Sequence, residues 1–271
     1  MVRKLLKHEA ASYIRSMLPM WVILVGIAVI TRFVQFFESD TTVYSISIGS
    51  TSIVLGISVV VCFIMSIVVS IKRYYVNMFT SEGYLTMTLP VTAEQHLFAK
   101  ILIAFGGIIA TLIIVLCSLS IAVMGELFIE IIKAINYIVK MMFDSAGWNG
   151  ALLIAEIIIA VAAVIIYELL LFYACISVGQ LARKNRILAA FGAYFAWYII
   201  TQIFGTIFVI LFAVLPQWLI NLGDAVAEFS ALHPILISHI AVWLIIVWQL
   251  IFSVLMFFIS RYIIKNKLNL E

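Results

Sequence analysis

The sequence predicts an all-α fold, a polytopic membrane protein with six transmembrane helices, and three observations carry that expectation. First, 66% of the 271 residues are apolar and only 11% are charged, against about 45–50% and about 25% in ordinary soluble domains. A soluble domain of this length has too little interior to hide so much apolar surface, and a mean hydropathy of +1.24 agrees. A disordered chain, a nucleic-acid binder and a cytosolic enzyme on a short anchor are all excluded. Second, six apolar runs reach the ~20 residues that a crossing helix needs: Pro19–Phe37, Ser52–Ile71, Leu97–Met124, Ala151–Leu181, Ile187–Leu215 and Ile235–Ile259. Third, with both termini on the cytoplasmic side, thirteen of the 16 Lys and Arg residues fall inside and only Arg32, Lys133 and Lys140 outside. That bias is the positive-inside pattern for an even number of spans.

The elements follow in order. Residues 1–18 carry Arg3, Lys4, Lys7 and Arg15, with Leu6, Ala10, Tyr13, Ile14 and Met17 on one helical face. This suits an interfacial helix that lies on the inner surface before Pro19 turns the chain into the membrane; a frayed basic tail is the alternative. No small-x-small site ends the apolar run that follows, so these residues do not read as a cleaved signal. Arg32 sits near the outer end of span one, where its head snorkels to the headgroups. Spans three, four and five exceed the hydrocarbon thickness and should tilt or project beyond it.

Residues 125–146 resemble a seventh span but read as an extracellular amphipathic helix. Glu126, Glu130, Lys133, Tyr137, Lys140 and Asp144 fall on one narrow stripe at about 100° per residue. In hydrocarbon each charge near the centre would cost about 2.5–3.5 kcal/mol. The helix would lie on the membrane or pack on a second copy, unless it is a solvated linker. Gln217, Asn221, Asp224 and Glu228 repeat the spacing over a shorter segment.

The loop at 72–100 is longer than a connector needs and semi-apolar, with Tyr74, Tyr75, Met78, Phe79, Tyr84, Leu85, Met87, Leu89 and Val91. Such a surface in water should have a partner or lie against the membrane. Gly83 permits a break after one short helix. Pro90 ends another stretch, and Thr92 with Gln95 forms a capping-box start for span three. At this point Glu82-Gly83-Tyr84-Leu85, Leu89-Pro90-Val91 and Lys100 resemble the loop between spans two and three of type-2 ABC transporter permeases. Ser177-Val178-Gly179-Gln180-Leu181 and the following Arg183-Lys184-Asn185-Arg186 are similar to the turn between spans four and five of small six-span exporter permeases of Firmicute type.

The resemblance implies a single transmembrane permease domain over 1–271, with an elbow helix at 1–18 and a cytoplasmic coupling loop at 72–96. It implies a coupling helix seated on a cytosolic ABC ATPase, with Tyr74, Tyr75, Phe79, Tyr84 and Leu85 as apolar anchors beside Gly83 and Pro90. Glu82 would contact the ATPase, or only cap a local helix. The chain has no G-x-x-x-x-G-K-[ST] loop, so ATP and Mg would belong to the partner ATPase and this chain would bind no cofactor and be no enzyme. A second permease copy, as a homodimer or with a sister chain, would complete the conduit in a bacterial cell membrane. The cargo would be hydrophobic or amphipathic, such as an antimicrobial peptide.

Intramembrane polar residues are the other candidates. Glu156 and Glu168 in span four are 12 residues apart, about 18 Å in rise, too far for a carboxylate pair. Glu156 reaches toward headgroups. Glu168, near the middle, is either an anionic or protonatable site in the conduit or a structural hydrogen-bond partner. Gln202 and Gln249 are candidate interhelical contacts. Ala189, Ala193 and Trp197, with Gly192 and Ala196, give span five a small-residue face. Cys62, Cys117 and Cys175 are isolated in apolar runs, and His8, His96, His233 and His239 are scattered, so no disulfide framework and no metal site is expected. No H-E-x-x-H or G-x-S-x-G motif occurs. Two other functions remain: an ion-driven secondary transporter, which should show an inverted repeat, and a non-transporting membrane assembly or sensor protein.

Overall fold

The computed structural model describes residues 2–37, 42–80, 83, 91–123, 126–214 and 234–266. These form seven helices: α1 (Val2–Gln35), α2 (Thr42–Phe79), α3 (Ala93–Ala122), α4 (Glu126–Ala146), α5 (Trp148–Gly179), α6 (Arg186–Val214) and α7 (Pro234–Asn266). Six of them, all but α4, are long and apolar enough to cross a membrane. The chain is a multi-pass membrane protein. The expected second amphipathic segment at Gln217, Asn221, Asp224 and Glu228 lies outside the described residues.

The residues cluster into two compact units, Met1–Val139 and Lys140–Asn269. In the first, α1, α2 and α3 pack pairwise. Their buried positions recur every seven residues: Met17, Leu24 and Thr31 on α1, Leu55, Cys62 and Val69 on α2, Leu97, Ala104, Thr111 and Ser118 on α3. A period of seven keeps one seam facing its partners, and the small residues of α3 let the backbones approach, as membrane helices require when lipid supplies no hydrophobic drive. Tyr13 shows how close they come. Its hydroxyl lies 2.9 Å from Ser66 Oγ on α2, and its ring lies so near the α3 backbone that a Cβ at Gly107 would sit 2.2 Å from it. Trp21 Nε1 donates to Thr111 Oγ1 at 3.1 Å. At the other end Gln35 Nε2 donates to the Ala122 carbonyl at 2.9 Å while Gln35 Oε1 accepts from Arg32, so Arg32 is held by a side chain as well as by its place near Phe36.

The expected turn at Pro19 is not there. Helix α1 runs through it without interruption. Proline removes one N–H and crowds the carbonyl four residues earlier, but Tyr13 and Met17 before it and Leu24 and Ala28 after it are buried on one core cluster. Packing on both sides carries the helix across. Tyr13 and Met17 therefore face protein, and of the expected interfacial face Ile14 remains exposed.

In the second unit α5 packs along α7 and on α6. Ile246, Ser253 and Ser260 again recur at seven on α7. Phe172 of α5 stacks on Tyr194 of α6 with ring centroids 5.4 Å apart, and Trp197 Nε1 donates to the Tyr167 hydroxyl at 2.9 Å. Ala189, Ala193 and Trp197 are half-buried in this seam while Gly192 and Ala196 face outward. The seam therefore uses only part of the small-residue face. The turn from α5 to α6 passes through Asn185 at φ 53° and brings α6 back over Gly179. A Cβ there would meet the Arg186 carbonyl oxygen and the Ala190 nitrogen, both at 2.7 Å. Backbone cannot swing aside as a side chain can. Gly179→Ala should destabilise the unit by about 3 kcal/mol, the upper part of the usual overpacking range, read as a lower melting temperature in detergent, whereas Gly192→Ala, which meets nothing within 4 Å, should not.

Candidate functional site

The two flanks of the loop between α2 and α3 are the most elaborated polar region among the described residues. Helix α2 runs unbroken to Phe79, so the first short helix expected in the loop is the end of α2 itself. Gly83 follows, buried, its N–H bonded to the Thr80 carbonyl at 2.8 Å. The chain re-enters helix at Thr92, whose hydroxyl accepts from Gln95 N while Gln95 Oε1 accepts from Thr92 N. This is the expected capping box. Glu82, Tyr84, Leu85 and Pro90 lie outside the described residues.

The anchors between them are corrected by burial. Tyr74 is fully buried and Phe79 is 7% exposed, their rings edge to face at 5.5 Å. Both are spent on this chain's own packing and offer no surface to a second protein. Helical periodicity explains this: Tyr74, Met78 and the buried Ser66, Ser70 share one face of α2. Tyr75, one residue round, is half-buried. Among the described residues, Tyr75, Lys72, Thr92, Glu94, Gln95 and Phe98 reach the surface at this end.

Glu9 holds the flanks together. It is 6% exposed. One carboxylate oxygen accepts from Lys100 Nζ at 2.8 Å and the other from the Arg73 guanidinium, with Asn77 Nδ2 at 3.5 Å. Lys100, counted above as an inside charge, is itself 5% exposed. One carboxylate thus joins α1, the end of α2 and the start of α3. Charge-assisted bonds of this kind are about twice as strong as neutral ones, and in a low-dielectric setting each partner depends on the others. The residues were visible in the sequence only as members of a basic segment. Glu9 is the sole acid among the first 37 residues, and that isolation was the available signal.

Glu156 does not simply reach for headgroups. Its Oε2 lies 2.7 Å from His239 Nδ1 and its Oε1 accepts from Trp243 Nε1 at 3.0 Å. His239 and Trp243, four residues apart on α7, present one face to α5. The pair is a link between two crossing helices, and the spacing of His239 and Trp243 was its sequence signal. Glu168 is half-buried with no cation paired to it among the described residues. Gln202 is exposed on α6, beside Tyr198 and Thr206 in a shallow hollow, so it is no contact to another described helix. Gln249 Oε1 is buried without a hydrogen-bond partner among the described residues. No group of three or more His, Cys, Asp or Glu side chains fit to hold a metal occurs among the described residues. Glu168→Gln should leave the yield of folded protein unchanged; a lower yield would make it a packing residue. No family model, curated protein or solved structure matches this chain.

Proposed function

We propose that this chain is the membrane-spanning permease subunit of an ATP-driven exporter of the ABC type in a bacterial cell membrane. Both termini face the cytoplasm, a separate cytosolic ATPase hydrolyses ATP, and a second permease copy completes the conduit. The cargo is hydrophobic or amphipathic, in the manner of a peptide. The observation that carries this reading is the convergence of Arg73 and Lys100, one on each side of residues 80–92, on the single carboxylate of Glu9.

The mechanical reasoning starts from length. Helix α2 has 38 residues and α1 has 34, about 57 Å and 51 Å at 1.5 Å per residue, against a hydrocarbon core of about 30 Å. Both therefore project well beyond the bilayer. The end of α2, the start of α3 and the N-terminal part of α1 form a stub, tied at Glu9, that carries the loop. A push on the loop moves a stiff three-helix lever rather than a floppy connector. Loss of a tie between packed elements with two arrangements is how such motion would be uncoupled. The bias of Lys and Arg supports a cytoplasmic position for this stub, the side on which a nucleotide motor operates. With the fully buried Tyr74 and the nearly buried Phe79 serving the stub itself, contact to the motor falls to Tyr75, Glu82, Tyr84, Leu85 and the exposed start of α3.

Purification of the full chain from its own cells in a mild detergent, followed by mass spectrometry, tests the reading. The expected result is a co-purifying ATPase with a Walker-type phosphate loop in near-equal amount. Repeated recovery of the chain with no such protein would overturn it.

A further inference from the structure

We infer that α4 lies along the membrane surface within one leaflet, its occupant being lipid and not a second protein. This does not depend on the ATP-driven reading. Helix α4 is 21 residues long, a rod of about 31 Å. Residues 123–125 join it to α3 and Gly147 alone joins it to α5, and both neighbours are crossing helices. At no more than about 3.6 Å per residue, these connectors keep one end of the rod at the end of α3 and the other at the start of α5. A rod of this length could span the hydrocarbon, but crossing would carry Glu130, Lys133 and Lys140 through it at about 2.5–3.5 kcal/mol for each charge near the centre, so the rod lies flat.

The distribution of side chains then fixes what covers it. At about 100° per residue Glu130, Lys133, Tyr137, Lys140 and Asp144 occupy an arc of about 80°. Ile131, Ile132, Ile135, Ile138 and Phe143 lie on the opposite side and are 41–57% exposed, with Asn136 between them and the stripe. So wide an apolar face is unsuited to water. It is suited to a helix sunk just beneath the headgroups, with a narrow polar ridge uppermost. For a helix about 10 Å across, an 80° ridge puts the axis about 4 Å below the polar boundary, with Ile135, opposite the ridge, about 9 Å down. Trp148, 76% exposed at the start of α5, is a residue type enriched at that level. The stripe, with Glu126 counted, holds three acids and two lysines. It has no excess of cations to select anionic lipid.

The test uses the full-length chain with Cys62, Cys117 and Cys175 replaced by alanine. Single cysteines at each of positions 131–139 are spin-labelled and the protein is reconstituted in phosphatidylcholine nanodiscs. Collision with dissolved oxygen reports lipid, and collision with a water-soluble nickel chelate reports water. The expected result is a 3.6-residue oscillation in the two accessibilities. Oxygen should peak at 131, 135 and 138 and the chelate at 133 and 137, with Ile135 about 10 Å deeper than Lys133. Added anionic lipid should leave the pattern unchanged. Four results would overturn the inference: a label at 135 shielded from both reagents, which means protein covers it; chelate access all round, which means the helix is in water; depth that changes steadily along the helix, which means it crosses the bilayer; and a deeper seat on adding anionic lipid.

Discussion

Glu9→Ala should destabilise the chain by about 3–5 kcal/mol, the usual loss when one member of a buried ion pair is removed and its partner is left uncompensated. Lys100 is 5% exposed and Glu9 6%, so neither is rescued by solvent. The expected reading is a melting temperature lower by about 6–20 °C in detergent, with faster proteolysis near the loop. Glu9→Gln keeps the shape and loses the charge, and should fall nearly as far. Combining Glu9→Gln with Lys100→Met removes the stranded cation and should recover much of the loss, because a buried pair replaced by packed neutral groups is often close to neutral. Arg73, with 14% of its side chain exposed, reaches water more readily and should tolerate that double change. Equal damage from the double and the single variants would show that Glu9 acts through shape alone.

Tyr74→Ala and Tyr75→Ala should part company, although the residues are adjacent. Tyr74 is fully buried, and truncating a buried aromatic costs about 3–5 kcal/mol. Its variant should yield little folded protein. Tyr75 is half-buried, and its variant should fold with normal yield but weaken communication with the proposed ATPase partner. The strongest functional loss is expected from Glu82→Ala combined with Tyr84→Ala: substrate-stimulated ATP hydrolysis should drop to the basal rate while the complex still assembles. The measurement is ATP turnover of the purified complex with and without substrate. Undiminished stimulation in that double variant would remove the loop from the coupling path.

Much of the fold was legible because it depends on properties summed over twenty residues. Apolar run length specified six helices long enough to cross a membrane, and the Thr92–Gln95 cap was readable because its partners are three residues apart. What depends on tertiary neighbours was not. Pro19 looked like a turn because proline disfavours helix interiors, and only the burial of Met17 and Leu24 on one core explains why the helix continues. Tyr74 and Phe79 looked like exposed anchors because aromatic residues in a loop suggest an interface, yet α2 extends to Phe79 and turns both inward. Glu9 pairs with residues 64 and 91 positions away, a distance over which no local pattern speaks. Glu156 was found as an intramembrane acid, but its partner His239 is 83 residues on.

The central claim, that residues beside the α2–α3 loop are worked by a separate nucleotide motor, is tested most directly by photocrosslinking in intact cells. A photoreactive amino acid is placed at Glu94, which is exposed at the start of α3, in a chain that retains Glu9, Arg73 and Lys100. The account predicts one dominant adduct, a cytosolic ATPase, whose abundance changes when ATP is depleted. An adduct only to lipid or to extracellular protein, or none at all, would contradict it.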